Sequence, residues 1–262
     1  MVKIVNFTMF KSGTHLIREL IELITMKSFQ EPIIIRGKNN YEDQEKFFVP
    51  GKGKFFSWHL HPKDSTSNFI VSENIKSIYL VRNIFDQTIS IYNHFAKNID
   101  HEIGRARNVD HLFKNISYEN GLKLIVDGCD FPEFKWLGLE HQLLHLERLY
   151  KSSVNTNGLF LSYEQLILNK EAAVTKICDY LGYEVKCLDH ILTRSEFAYM
   201  KKVKHHKSHF QKGKIGTIFE KNNKMILPYI QKKVSEYEML NIPNFTYLFN
   251  DQELRALLAK GY

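Results

Sequence analysis

Along the chain, short apolar runs bounded by turn residues alternate with longer stretches whose apolar positions recur every three to four residues. That alternation predicts βαβ units and a parallel sheet. Buried strands are expected at Lys3–Phe7, Lys54–Trp58, Ser77–Val81 and Gly158–Ser162, all short and three of them rich in Ile, Val, Phe or Tyr. Helices are expected at Thr14–Thr25, where Leu16, Ile17, Leu20, Leu23 and Ile24 share one face, at Ile84–Lys97, and at Lys170–Leu181 with Gly182 as its stop. Further helices are expected near Phe134–Lys151, Asn223–Leu240 and Gln252–Lys260. Polar, turn-rich stretches at Arg36–Lys52 and Asn98–Asp110 read as loops over one edge of the sheet. Neither an internal repeat nor a low-complexity linker interrupts the pattern, so the expectation is one α/β domain over residues 1–262, a central, mostly parallel sheet flanked by helices.

Composition changes this picture little. With 262 residues and 44% hydrophobic against 25% charged positions, the chain is too apolar and too evenly mixed for disorder. Its first residues lack the pattern of a secretory signal, and no run of about 18 apolar residues predicts a membrane span; a cytoplasmic protein is expected. Cys129, Cys178 and Cys187 are far apart and without CxxC spacing, which argues against a disulfide framework or a zinc site and for reduced thiols in or near the core. Charge is more informative. The net charge is +7, and residues 197–219 hold six lysines and no carboxylate. A solvated basic loop and an anion-binding loop both fit that run; nucleic acid is not expected, because no RNP, zinc-finger or helix-turn-helix pattern lies beside it.

Two junctions carry candidate chemistry. The first is "FKSGTHL", residues 10–16, between the first strand and the first helix. A glycine-containing turn entering a helix aims backbone N–H groups outward at the positive end of the helix dipole. Lys11 adds a cation, Ser12 and Thr14 add hydroxyls, and Gly13 permits close approach, so the turn is read as a phosphate cradle. It is not a Walker A loop, which requires G-x-x-x-x-G-K-[ST]. The second is "YLVRNIFDQTISIYNHF", where Arg82 ends a strand and Ser90 lies on the following helix. Fork and hydroxyl can hold one phosphate from two sides; a pairing of Arg82 with Asp86 at the helix start accounts for the arginine equally well.

These segments resemble the sulfotransferase family, enzymes that use 3′-phosphoadenosine 5′-phosphosulfate (PAPS) as donor and release 3′,5′-bisphosphoadenosine (PAP). "FKSGTHL" is similar to the 5′-phosphosulfate loop, "YLVRNIFDQTISIYNHF" to the 3′-phosphate motif, "LFLSYEQLILNKEAAVTKICDYLG" to a third family segment and "FQKGKIG" to a late basic loop, in the family's order from residue 3 to about 230. The resemblance implies a P-loop-like sulfotransferase architecture. It implies that Lys11, Ser12, Gly13, Thr14 and His15 hold the 5′-phosphate and sulfuryl group, that Arg82 and Ser90 hold the 3′-phosphate with Lys212 and Gly213, and that Tyr163 sits near the adenine. His59, in "FFSWHLHP", matches the family's catalytic base, with His61 as its rival, and Lys11 joins it in catalysis. In-line transfer of a sulfuryl group to a hydroxyl or amine of a small-molecule or glycan acceptor is implied, with no metal.

Departures are specific. Leu16 stands where the family has Trp, His15 where it has a second hydroxyl, and Met9-Phe10 where it has Tyr-Pro. Gln211 replaces an Arg and Thr217-Ile218 replaces Asp-Trp in the late loop, leaving Lys214 as another cation for the 3′-phosphate. A nucleotide-dependent kinase and a non-catalytic nucleic-acid-binding α/β protein are the alternative readings.

Overall fold

The computed structural model describes residues 2–30, 53–59, 62–96, 109–132, 134–203, 213–237 and 242–260. In chain order its elements begin β1 (Lys3–Thr8), α1 (Thr14–Thr25), β2 (Ser28–Gln30), β3 (Lys54–Trp58), α2 (Asp64–Ser72), β4 (Ile75–Val81), α3 (Ile84–Ala96), α4 (Asp110–Phe113) and α5 (Tyr118–Asp127). They continue with β5 (Cys129–Phe131), β6 (Phe134–Trp136), α6 (Gly138–Asn155), β7 (Leu159–Ser162), α7 (Tyr163–Leu168), α8 (Lys170–Leu181), α9 (Leu188–Arg194), α10 (Phe197–Val203), α11 (Leu227–Glu236) and α12 (Asp251–Ala259). They form two compact units, residues 1–81 with 145–195, and residues 82–144 with 196–262.

The first unit holds a five-stranded, all-parallel sheet in the order β2-β3-β1-β4-β7. β1 is central because Ile4, Val5 and Phe7 are apolar on both faces and fully or almost fully buried. Phe7 stands opposite Tyr79 of β4, and the two rings stack with centroids 5.3 Å apart. Polar groups inside the sheet are satisfied: Asn6 donates to the Ile78 carbonyl and accepts from the Ser57 hydroxyl. The Tyr79 hydroxyl is hydrogen-bonded to Ser152 and Thr156 on the C-terminal part of α6. From β1 the chain runs to one side through β2 and β3, then crosses to β4 on the other. The carboxyl ends of the strands beside β1 therefore form a topological switch point, where parallel α/β sheets bind their ligands.

α1 has the expected bounds, but its buried stripe is Leu16, Ile17, Leu20 and Ile21, with Leu23 and Ile24 only half-buried. Each fully buried side chain of that size contributes about 1.5–3 kcal/mol. α8 stops where expected, at Gly182 in the left-handed region.

The second unit is built on α3, which is buried on nearly all sides from Ile84 to Thr88 and packs on α4 and α5. Tyr92 and Phe95 of α3 meet Phe113, Tyr118, Phe134 and Trp136 edge to face or stacked. Here the periodicity misleads. The helix expected over Phe134–Lys151 begins only at Gly138, because residues 129–136 form the antiparallel β5-β6 hairpin. Gly128 and Gly138 adopt positive φ on either side of it, each lying against the other's backbone where a Cβ would collide. The helix expected over Asn223–Leu240 is a single 3-10 turn, Lys224–Ile226, followed by α11, whose first turn carries Pro228. Strand β2 and helices α2, α4, α5, α7, α9 and α10 are additions to the expected elements, most of them too short to carry a period. Of the cysteines only Cys178 is buried; Cys129 is half-buried and Cys187 is exposed in the left-handed region. The stretches 36–52 and 98–108 lie outside the described residues. No helix among the described residues is long and apolar enough to cross a membrane.

Truncating Leu20, which is fully buried on α1, to Ala should lower the unfolding free energy by ~2–5 kcal/mol. Urea titration followed by circular dichroism measures it, and a loss under about 1 kcal/mol would mean that α1 is not docked on the sheet.

Candidate functional site

The β1–α1 turn lies at the carboxyl edge of the central strand. Lys11 has φ 64° and Gly13 φ 96°, so the chain doubles back tightly before the helix. Gly13 is required twice over. Its φ lies in the left-handed region, and a Cβ there would stand 2.5 Å from Cδ2 of the Tyr163 ring. Ser12 is fully buried and closes the turn inward, its Oγ donating to the Met9 carbonyl at 2.7 Å and the Leu80 carbonyl at 3.3 Å. The Ser12 hydroxyl thus builds the turn. Gly13 occupies the N-cap position of α1 and supplies no side-chain cap, so the first N–H groups of the helix face out of the turn with the positive end of the dipole. Lys11 extends over the Phe10 ring, its Nζ 5.8 Å from the centroid.

His59 follows the last residue of β3 and shares this edge. Its Nδ1 is 3.0 Å from Thr8 Oγ1, which is 2.9 Å from Thr14 Oγ1 and 3.4 Å from the Trp58 carbonyl. One hydroxyl thus ties the histidine to the first residue of α1. The His59 ring also lies edge-on to Phe10, with centroids 6.1 Å apart. Surrounding protein and the positive charge of Arg18, then of Lys11, push the His59 pKa below the ordinary 6.5 to about 4, against the carbonyls of Thr8 and Met9, which raise it. The residue retains an exposed surface, where water tempers the burial contribution; the two cations act in the same direction, so the imidazole is neutral at pH 7. Arg18 is held for this by stacking on Phe29, 3.9 Å from the ring centroid, and by donating to the Ser57 carbonyl.

Tyr163 is buried against the back of the turn, as the first residue of α7. Ser162 and Gln165 form a capping box that fixes this helix start, so the ring's position follows from the β7–α7 junction.

In the second unit Arg82 is nearly buried at the start of the segment leading into α3, and its Nη2 donates to the Lys214 carbonyl at 3.2 Å. Asp86 has a different partner from the one the sequence offered as an alternative. Its fully buried carboxylate accepts from the Gly216 N–H at 2.7 Å, the Thr217 hydroxyl at 2.8 Å, the Ile218 N–H at 2.9 Å and the Asn83 side chain at 3.1 Å. Thr217 and Ile218, which depart from the family pattern in the late loop, are what anchors it. Gly213 (φ 61°) lies against the Phe197 ring, 2.6 Å from where its Cβ would be. Ser90 is half-buried on α3. His61, Gln211 and Lys212 lie outside the described residues.

Sequence reasoning missed Thr8, Arg18 and the anchoring role of Asp86. Thr8 lies one residue beyond the expected strand and is set beside His59 by the β1–β3 register, a long-range pairing; nothing in the spacing of Arg18 signals a ring stack with Phe29. Among the described residues no cluster of three His, Cys, Asp or Glu side chains has the arrangement of a metal site.

Known proteins share this architecture. The profile of the sulfotransferase domain matches residues 3–227. A 3-alpha-hydroxysteroid sulfotransferase of Cavia porcellus is 25% identical over 209 residues, 75% of this chain and 65% of that relative, so the match spans about two-thirds of the relative's length. A mouse sulfotransferase solved in complex with PAP superposes with a TM-score of 0.65 at 19% identity, covering 98% of this chain and 88% of that one. Retinol dehydratase, solved with androsterone and PAP, superposes with a TM-score of 0.60 at 16% identity, covering 93% and 83%. With the strand-turn-helix cradle at residues 10–16 and a matching profile over most of its length, the chain belongs to the sulfotransferase family.

Proposed function

We propose that this chain transfers a sulfuryl group from PAPS to the hydroxyl of a small-molecule acceptor. The observation that carries the reading is the uncapped amino end of α1 behind the Lys-Ser-Gly-Thr turn, with His59 tied to that same turn. Each unit, taken by itself, carries residues that fit a phosphate group. In the first unit, the N–H groups at the start of α1, the Thr14 hydroxyl and Lys11 would hold the 5′-phosphate side. In the second, Arg82 and Ser90, with Lys212, Gly213 and Lys214 of the late loop, would hold the 3′-phosphate. Tyr163 serves the nucleotide by shaping the turn, whose Gly13 it supports.

When bound, PAPS supplies an activated sulfuryl group. The chain's part is positioning and electrostatics. Lys11 and the dipole of α1 stabilise negative charge where it grows, on the phosphate side of the breaking bond. His59, neutral at pH 7, takes the proton from the attacking hydroxyl. A hydroxyl on a small molecule is favoured over a glycan because the matched relatives are a steroid sulfotransferase and retinol dehydratase, the latter solved with androsterone or with retinol. An amine acceptor uses the same geometry.

Incubation with sulfur-labelled PAPS and a panel of steroid, phenol and sugar alcohols tests the activity; transfer of label to a small alcohol is expected, and Mg²⁺-dependent ATP turnover without label transfer would instead make the chain a kinase. His59→Ala should lower turnover ~10²- to 10⁴-fold with PAP affinity almost intact, whereas undiminished turnover would remove His59 from the reaction. In the intact enzyme the acid limb of kcat should lie below pH 6.5, displaced toward about 4, since a lowered pKa keeps the base unprotonated into acid; a limb at or above 6.5 contradicts this assignment. Arg82→Ala should weaken PAP about 10- to 100-fold, the ~1.5–3 kcal/mol of a lost charged hydrogen bond, read by calorimetry. An unaltered Kd would reject Arg82 as a phosphate ligand.

A further inference from the structure

Building on the sulfuryl-transfer reading, we propose that Thr8 is a positioning residue: its hydroxyl holds His59 as the Nδ1–H tautomer and leaves the Nε2 lone pair to receive the acceptor's proton. The placement follows from sheet register. β1 and β3 run parallel with Phe7 opposite Trp58, so the next residues along, Thr8 and His59, emerge side by side at the carboxyl edge. Thr8 is fully buried, which restricts its hydroxyl to the partners around it.

Hydrogen bookkeeping then selects the tautomer. A threonine hydroxyl has one hydrogen to give and two lone pairs. Among the described residues three groups surround it: the Trp58 carbonyl, which only accepts, the Thr14 hydroxyl, which does either, and His59 Nδ1. With the hydrogen directed to the Trp58 carbonyl or to Thr14, the oxygen of Thr8 accepts from a protonated Nδ1. The reverse, Thr8 donating to Nδ1 while Thr14 donates to Thr8, leaves the Trp58 carbonyl without the Thr8 hydrogen and puts the ring proton on Nε2, where the nitrogen has no lone pair for a substrate. The carbonyls of Thr8 and Met9 act on the ring as acceptors do, favouring an N–H directed at them. During transfer the acceptor's O–H bond would break, its proton going to Nε2 and its electron pair to the new bond with sulfur, while the bond from sulfur to the 5′-phosphate oxygen of the donor would break and its electron pair would leave with PAP. The resulting imidazolium keeps its Nδ1–H on Thr8 throughout. The Thr8–Thr14 contact adds a second consequence: the same hydroxyl that orients the base also touches the first residue of the helix that faces the phosphate, so base and cradle are held in one geometry.

Long-range proton–nitrogen correlation spectra of histidine-labelled protein at pH 7 test this directly. In the wild type, His59 should carry a pyrrole-type Nδ1 and a pyridine-type Nε2. In Thr8→Val, which keeps shape and removes the hydroxyl, the proton should move to Nε2 for most of the population, and Thr8→Ser should restore the wild-type pattern. PAP affinity, measured alongside, reports on the cradle through the Thr8–Thr14 contact and should return to the wild-type value in Thr8→Ser. A wild-type His59 protonated on Nε2 would overturn the proposal even if no variant folded, and so would a Thr8→Val spectrum identical to wild type or a Thr8→Ser spectrum lacking the Nδ1 proton. Failure of the wild type to bind PAP would instead overturn the sulfuryl-transfer reading, whatever the tautomer.

Discussion

The close approach of the Tyr163 ring to Gly13 is the contact on which the β1–α1 turn depends. No side chain fits between them, so the turn after β1 packs against the ring and enters α1 through a left-handed glycine. A residue that caps the helix with its own side chain would satisfy the first N–H groups internally; glycine leaves them turned outward. The ring itself is fixed one junction away, where Ser162 and Gln165 cap the start of α7 at the end of β7. Two strand-to-helix junctions of one parallel sheet therefore hold each other, and the proposed anion site lies at the first of them. Its cost is the positive φ at Lys11, a strain of order 1–2 kcal/mol for a residue with a Cβ; Ser12, hydrogen-bonded to Met9 at the start of the turn and to Leu80 of β4, opposes it.

In the second unit one buried carboxylate plays the corresponding part. Asp86 accepts four hydrogen bonds, three of them from Gly216, Thr217 and Ile218, and its place in the first turn of α3 adds the favourable end of that helix's dipole. A desolvated charge is tolerable only when fully bonded, so the loop after Gly213 has one docked arrangement. That arrangement delivers the Lys214 carbonyl to the Arg82 guanidinium.

Much of this was legible in the sequence. The β1–α1 junction, with its bounds at Thr14 and Thr25, follows from apolar spacing and one glycine, and Arg82 at the end of a buried strand follows from a run of Ile, Tyr, Leu and Val. Long-range partners were not legible. Nothing local tells Asp86 from an ion-pair partner of Arg82, because its ligands lie some 130 residues later. Thr8 falls just past the strand expected from the sequence, and only the register of β1 with β3 sets it beside His59. The β5-β6 hairpin was lost for another reason: three-residue strands carry no period, and Phe134 and Trp136 fit a helical face as well as an aromatic cluster.

A crystal structure of the chain with PAP is the most direct test of the central claim, that the uncapped start of α1 is a phosphate cradle. The account predicts the 5′-phosphate within hydrogen-bonding distance, about 2.7–3.2 Å, of the N–H groups following Gly13 and of Lys11. A 5′-phosphate bound elsewhere, with the amino end of α1 contacting only water, would contradict it.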